Sequence, residues 1–299
     1  MGYSCLCNNY YKCALALFFE KAVNVPVTQS EFNIFRQFLE NKSGIVLGDN
    51  KQYLVTSRLK KLQDEHGIKS LTELMARIQA QPRGALQEQV VDAMTTNETL
   101  WFRDTYPFEV MKNKVLPELL DKQPNQRLRI WSAACSSGQE PYSLSMTIDE
   151  YERANLGSVK LTAQIVATDL SPSMLQACKT GEYDSLSIAR GLSQERLQRY
   201  FDKTAEGRWA VKQAIKSRVE FRPLNLLDSY AALGKFDVVF CRNVLIYFSA
   251  EAKKDILTRI HATLKTGGYL FLGASEALNA LPDLYRMVQC SPGIIYQAK

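Results

Sequence analysis

The stretch WSAACSSGQEPYS, Trp131 to Ser143, decides how this chain is read. An apolar run, Leu128-Arg129-Ile130-Trp131, leads into it, and an apolar helical pattern through Leu144, Met146 and Ile148 follows. Strand, loop and helix in that order are the setting of a nucleotide-binding turn. Yet the loop holds one glycine, Gly138, where a dinucleotide fingerprint uses three so that bare backbone can approach a pyrophosphate.

Outward from that turn, strands alternate with helices. The strand candidates are Leu128–Ala133, Gln164–Asp169, Val219–Asn225, Phe236–Asn243, Tyr269–Ala274 and Ile294–Gln297. Several are continuously apolar, as strands covered on both faces are. Helices fit at Ser143–Glu152, Ser171–Thr180 and Ala250–Leu264. This predicts a doubly wound, Rossmann-like α/β domain over 128–299, with ligands outside the carboxyl ends of its strands. Near 201–220 the alternation breaks. There Arg208–Lys212 and Lys216–Val219 predict a small antiparallel β insert with Glu206-Gly207 as its turn.

Residues 28–95 read as an all-helical N-terminal domain. Thr28 and Ser30 precede Phe32, Phe35, Phe38 and Leu39 at helical spacing, Asp49 is placed to cap a second helix to about Glu65, and Ser70 with Glu73 makes a capping-box pattern. Residues 96–127 are expected as a linker and 1–27 as an N-terminal extension of no readable type.

Composition narrows the classes. A chain of 299 residues, 46% hydrophobic and 23% charged, can bury a sizeable core and does not read as disordered. A net charge of +6 favours an acidic partner but falls short of a dedicated nucleic-acid binder. No run reaches the roughly 18 apolar residues of a membrane span. Cys13–Phe19 is apolar but short and flanked by charge, a poor signal peptide, and Leu6 stands where a myristoylation signal wants Ser or Thr. Seven cysteines with only two histidines, His66 and His261, make neither a zinc pattern nor a disulfide framework. Reduced thiols, a cytoplasmic setting and no metal are expected, the Cys5, Cys7 and Cys13 cluster included.

The unusual polar residues gather at strand ends. Asp169 ends the second strand, where an acid accepts both ribose hydroxyls of an adenosine. Glu140, in the first loop, suits an ammonium or sulfonium cation. A glycine-poor loop bearing an acid, followed by an acidic second strand end, favours S-adenosylmethionine, which carries no phosphate, over a nicotinamide dinucleotide. The plain alternative is that Glu140 opens a helix near Pro141 and Asp169 caps the one after Ser171. Asn225, ending the third strand, offers a donor and an acceptor to an adenine edge, and equally suits a turn. The fourth strand ends in Arg242-Asn243 and runs on to Tyr247 and Phe248. Phe248 reads as core, Arg242 also fits a structural ion pair, and Tyr247 can bring a ring and a hydroxyl beside a reacting centre. Thr95–Arg103 mixes polar groups with Trp101 and Phe102, as a segment folding over a ligand does.

Five ordered motifs, TTNETLWFRD from Thr95, SAACSSGQEPYS from Ser132, ATDLS from Ala167, FCRNVLIYF from Phe240 and LKTGGYLFLGASE from Leu264, together resemble the CheR-type chemotaxis receptor methyltransferases. The helical part from about residue 28 resembles that family's amino-terminal domain. The resemblance implies transfer of a methyl group from S-adenosyl-L-methionine to glutamate side chains of chemoreceptors, leaving S-adenosyl-L-homocysteine and glutamyl methyl esters. It implies that Asn97, Thr99 and Arg103 contact the cofactor, Glu140 holds its amino-acid end and Asp169 its ribose. It places Asn225 and Leu226 at the adenine, Arg242 and Asn243 on the floor, and Tyr247 near the methyl, with Arg103 and Tyr247 positioning the reacting groups. A glutamate is already ionised at neutral pH, so no general base is needed.

The resemblance also implies docking of an acidic receptor helix by the helical domain. Lys51, Arg58 and Lys61 fall within about 80° of one helix face, a sector they share with Leu54 and Leu62. The turn Lys203–Gly207 is short, which argues against tethering a receptor's carboxy-terminal peptide as an added strand. Two competitors stand beside this reading. One is an RNA methyltransferase, supported by the positive charge but lacking an interleaved basic and aromatic run and an Asn/Asp-Pro-Pro-aromatic motif at the fourth strand. The other is a non-catalytic cofactor sensor. The chain is expected to work as a monomer that binds no nucleic acid and inserts in no membrane.

Overall fold

The computed structural model describes residues 27–299 apart from 83, 123–126, 156–160 and 279–280, so the Cys5, Cys7 and Cys13 cluster and the extension before Val27 lie outside the described residues. Four helices come first: α1 (Gln29–Ser43), α2 (Gln52–Glu65), α3 (Leu71–Ala80) and α4 (Ala85–Met94). They share a core that includes Phe32, Phe35, Leu59, Leu74 and Val90. Thr28 closes α1 through a reciprocal box with Glu31, and left-handed Gly44 ends it. Asp49 does not cap α2. Lys51 stands at that position without a side-chain bond, and Asp49 pairs with Arg36 of α1 instead.

The segment expected as a linker is half core. From Tyr106 it forms α5 (Tyr106–Val110), a π-helical turn (Met111–Val115) and α6 (Leu116–Lys122). Phe108, Met111 and Val115 pack in the same cluster as Ile130 and Tyr142.

The strands in chain order are β1 (Leu128–Ala133), β2 (Ala163–Asp169), β3 (Glu182–Tyr183), β4 (Phe201–Lys203), β5 (Trp209–Val211), β6 (Val219–Pro223), β7 (Phe236–Cys241), β8 (Leu264–Leu272), β9 (Tyr285–Gln289) and β10 (Ile294–Ala298). Seven of them make one sheet in the order β6-β2-β1-β7-β8-β10-β9. β10 runs antiparallel to both its neighbours, and the pairings from β6 to β8 are parallel. Helices α7 (Gln139–Ala154), α8 (Pro172–Thr180), α9 (Ser185–Ala189), α10 (Gln194–Tyr200), α11 (Gln213–Lys216) and α12 (Ala250–Thr263) complete the domain. Strand pleating sends Ile130 and Val238 into one core and Trp131 and Val239 into the other, which is why these strands read as unbroken apolar runs. Strand order reverses about β1, and the crevice beyond its carboxyl end is where such sheets take ligands.

The small sheet differs from the expected insert. It runs β3-β5-β4, so it starts at Glu182, and Lys216–Val219 instead close α11 and open β6. Its work is mechanical: Trp101 lies edge-on to Tyr183 at 4.8 Å and to Phe201 at 5.2 Å. At Gly191, with φ +95°, a Cβ would stand 2.1 Å from the Trp101 carbonyl oxygen. Only glycine allows that approach, and it fixes the stretch from Thr95 to Arg103 along the crevice.

Candidate active site

The loop after β1 answers the question its single glycine raises. Ala134, Ser136 and Gly138 all have positive φ, at 59°, 50° and 95°. The backbone thus makes the three left-handed turns of a glycine-rich loop, but two of them carry side chains, at a cost of about 1–2 kcal/mol each. Contacts hold the strained form in place. The Cys135 N–H donates to the Thr168 carbonyl at 2.9 Å, and the Ser136 N–H donates to Asp169 Oδ2 at 2.7 Å. The Ser136 hydroxyl donates to the Asn97 carbonyl at 2.8 Å, tying the loop to the crossing segment.

Asp169 is not a helix cap. Ser171 caps α8 by accepting from the Met174 N–H, while Asp169 Oδ1 accepts from the Ser171 N–H at 2.9 Å. Burial pushes the Asp169 carboxyl above its ordinary range, against the two amides that favour its charge. Glu140 lies in the first turn of α7, its side chain 13% exposed. Its Oε1 accepts from the Ser132 hydroxyl at 2.8 Å and its Oε2 from Arg242 Nη1 at 3.0 Å. Burial raises this carboxyl too, and the Arg242 charge opposes the rise.

Arg242 is the hub. Its side chain is 1% exposed, and Nη2 reaches Asp104 Oδ2 at 2.7 Å and the Arg103 carbonyl at 2.8 Å. Two buried polar atoms here have no partner among the described residues: Arg242 Nε and Asn243 Oδ1. A buried donor and acceptor left open at a cleft floor are what a polar ligand completes.

These groups line one cleft enclosing about 980 Å³, part of it open to solvent. Asn97, Thr99, Arg103, Glu140, Asp169, Asn225, Leu226, Arg242, Asn243 and Tyr247 all line it, so the residues expected to bind cofactor or position the reacting groups share one cleft. The helical domain supplies the facing wall through Ser43, Ile45 and Met94. Four polar links seat that wall. The Val46 N–H donates to the Tyr247 carbonyl at 2.8 Å, and Asn225 Nδ2 donates to the Lys42 carbonyl at 2.7 Å. Asp92 of α4 accepts from the hydroxyls of both Ser171 and Ser173.

Comparison with known proteins agrees with this geometry. The profile of the CheR methyltransferase SAM-binding domain matches residues 97–294, and that of the CheR methyltransferase all-alpha domain matches 30–95. The chain belongs to the CheR methyltransferase family. Chemotaxis protein methyltransferase Cher2 of Pseudomonas putida is 78% identical over 269 residues, covering 90% of this chain and 98% of that protein. Chemotaxis protein methyltransferase 1 of Pseudomonas aeruginosa is 75% identical over 275 residues, covering 92% and 100%. A chemotaxis protein methyltransferase of Vibrio parahaemolyticus is 51% identical over 276 residues, covering 92% and 99%.

The cofactor of this CheR chain is S-adenosylmethionine, and the residues present fit it. It is a net cation without phosphate, and the cleft offers a buried acid, Asp169, a second, Glu140, only 13% exposed, and a loop with side chains where a pyrophosphate would need bare glycine. Among the described residues no three His, Cys, Asp or Glu side chains converge as metal ligands, and no helix is long and apolar enough to cross a membrane.

Two expectations change in detail. The Asn225 amide, expected to read adenine, is engaged with Lys42 and accepts from the Leu227 N–H at 3.0 Å, so it also joins the two domains. Arg58, expected to dock a partner, turns inward. Its guanidinium donates to the Met94 and Thr95 carbonyls at 2.6 and 3.0 Å and to the Thr96 hydroxyl at 3.0 Å, capping the end of α4. Sequence reading gave no role to Asp104, whose left-handed backbone (φ 65°) aims its carboxylate at Arg242. The signal was there in the Arg-Asp pair that ends TTNETLWFRD.

Proposed function

We propose that this CheR-family enzyme methylates glutamate side chains on the cytoplasmic signalling helices of chemoreceptors, forming glutamyl methyl esters. One observation carries the choice of acceptor. The described lining of the cleft contains no histidine and no lysine, and its two inner acids are tied down, Glu140 by Arg242 and Ser132, Asp169 by two backbone amides, while the third, Glu98, is 75% exposed and pairs with Arg190 at 3.6 Å. An acceptor that must lose a proton finds no free base there. A glutamate carboxylate arrives ionised and needs none.

S-adenosylmethionine, when bound, supplies an electrophilic methyl group on a sulfonium centre. Asp169 accepts the ribose hydroxyls with the lone pairs its two amides leave free. Glu140 holds the ammonium end, with Asn97, Thr99 and Arg242 closing around the amino-acid part and Asn225 and Leu226 bounding the adenine. Arg103 steers the incoming carboxylate, and Tyr247 limits its approach to one direction. Such orientation lowers a barrier by several kcal/mol without any proton transfer. Of the three cations expected to dock an acidic helix, Lys61 is the one presented to solvent, its side chain 88% exposed and paired with Glu65 at 3.7 Å, a surface pair that an incoming carboxylate can exchange with.

The test uses purified protein, methyl-labelled S-adenosylmethionine and membranes containing chemoreceptors. Label in the receptor band that mild alkali releases as methanol is the expected result. Alkali-stable label, or label only in added RNA, overturns the reading.

A further inference from the structure

The motif LKTGGYLFLGASE ends in Glu276, which does not line the cleft. Its carboxylate grips the neighbouring loop by the backbone. Oε2 accepts from the Asn243 N–H and the Gly273 N–H, both at 2.8 Å, and Oε1 accepts from the Ile246 N–H at 3.3 Å. The gripped residues need holding. Asn243 sits at φ +56°, a left-handed backbone that a non-glycine residue adopts at a cost. Residues Leu245–Tyr247 form a single tight turn, and Tyr247 faces the cleft. The fit allows no slack: a Cβ on Gly273 would stand 2.7 Å from Glu276 Oε2 and 2.9 Å from the Asn243 nitrogen. The end of β8 therefore clamps the end of β7 through one carboxylate and one bare α-carbon.

We propose that Glu276 is a positioning residue for methyl transfer: by holding the Asn243–Tyr247 turn it sets where the Tyr247 ring and the Asn243 amide stand in the cleft. This rests on the assignment of Tyr247 to the acceptor side of the reaction. Two amides of the turn and the Gly273 N–H at the end of β8 converge on one carboxylate and hold the turn to that strand end, each bond to a charged acceptor being about twice as strong as a neutral one. The bonds touch backbone alone, so Glu276 selects neither cofactor nor acceptor. Its loss blurs the geometry rather than emptying a binding site.

The experiment compares the wild-type chain with Glu276→Gln and Glu276→Ala. Gln keeps an oxygen for the two short bonds and turns an amino group toward the Ile246 N–H; Ala removes all three. Hydrogen exchange read by mass spectrometry on the 243–247 and 273 peptides should quicken in the order wild type, Gln, Ala, with the helical domain unchanged. In parallel, kcat for receptor methylation should fall by about 10- to 100-fold in Ala and less in Gln. KM for receptor and cofactor affinity by calorimetry should stay within about threefold, the split that separates positioning from binding. Unchanged exchange in Glu276→Ala overturns the anchor. Faster exchange with undiminished kcat overturns its catalytic consequence. If the wild-type chain itself leaves receptors unlabelled, the acceptor assignment falls, while the exchange measurement still decides whether Glu276 holds the loop.

Discussion

Replacing Arg242 by Met removes the hub of the cleft and leaves Glu140 to bear its charge alone. The Met side chain fills much of the space, so the lost quantity is mainly electrostatic. Arg242 is 1% exposed at its side chain and Glu140 13%, and breaking a buried pair by removing one partner costs about 3–5 kcal/mol. Ser132 still donates to Glu140, which places the loss near 3 kcal/mol. The bonds to Asp104 and to the Arg103 carbonyl add little, since Asp104 is 33% exposed and water replaces its partner. For a chain of 299 residues 3 kcal/mol lowers Tm by roughly 5 °C. The loss has a pH signature. Burial already raises the Glu140 carboxyl and Arg242 restrains it, so the variant's carboxyl moves further up. A carboxyl raised in the folded state favours folding while protonated, and that stability is lost as pH rises through the folded value. The deficit is therefore smaller at a mildly acidic pH and larger at a mildly alkaline one. The assay is thermal melting of cofactor-free protein at both pH values, with Glu140→Gln and the double variant beside it. The double variant should recover most of the stability that the Arg242→Met single variant loses, because a neutral amide needs no counter-charge. A deficit that is independent of pH and untouched by Glu140→Gln refutes the reasoning.

Asp169→Asn should weaken S-adenosylmethionine binding by about 2–3 kcal/mol, roughly 30- to 150-fold in Kd by calorimetry, as a charged acceptor is lost to the ribose hydroxyls; equal affinity removes that assignment. A cation binding beside two carboxyls that burial has raised must release protons, so affinity should decline as pH falls through their raised range. Calorimetry at a mildly acidic pH in two buffers of different ionisation heat reads that release directly, and identical heats contradict it. Ala134→Gly should raise stability by about 0.5–1 kcal/mol by relieving a left-handed alanine. Gly138→Ala should lower it, because its φ is +95° and a Cβ would meet Tyr183 Oη at 3.0 Å and Cys178 Sγ at 3.1 Å. Melting shifts of the same sign for the two would show that the loop is not strained as described.

What was legible in the sequence divides along physical lines. The strands that build the floor, β1, β2 and β7, are covered on both faces and announce themselves as apolar runs. Edge strand β9, with Arg286 and Met287 exposed, gave no such signal. The start of β8 hid behind Lys265-Thr266-Gly267-Gly268, which reads as a turn, and β3 is two residues long. Strand-end chemistry made the cleft residues readable, since topology alone brings Glu140, Asp169, Asn225 and Arg242 together. The resemblance added Asn97, Thr99 and Arg103, whose place depends on a segment clamped by Trp101. The bonds of Arg58 to the end of α4 were not legible, because a helical wheel gives direction but cannot show that end lying within its reach. Asp104 left only the Arg-Asp pair of its motif as a trace, since its left-handed backbone is invisible in sequence, and Glu276 acts through bare amides, which leave none.

The seam between the helical and sheet domains has a consequence for anyone recombining them. Residues 42–46 of one domain bond to Asn225 and Tyr247 of the other, and at Gly44 a Cβ would stand 2.3 Å from the Phe248 ring. The two halves are thus cut to one another at the rim of the cleft. A chimera that joins the helical domain of a distant relative at residue 95 carries a mismatched rim into the catalytic chamber, and its turnover suffers even where both halves fold. Exchange that moves Lys42–Val46 together with Asn225 and Val244–Phe248 keeps the chamber whole while partner choice is altered.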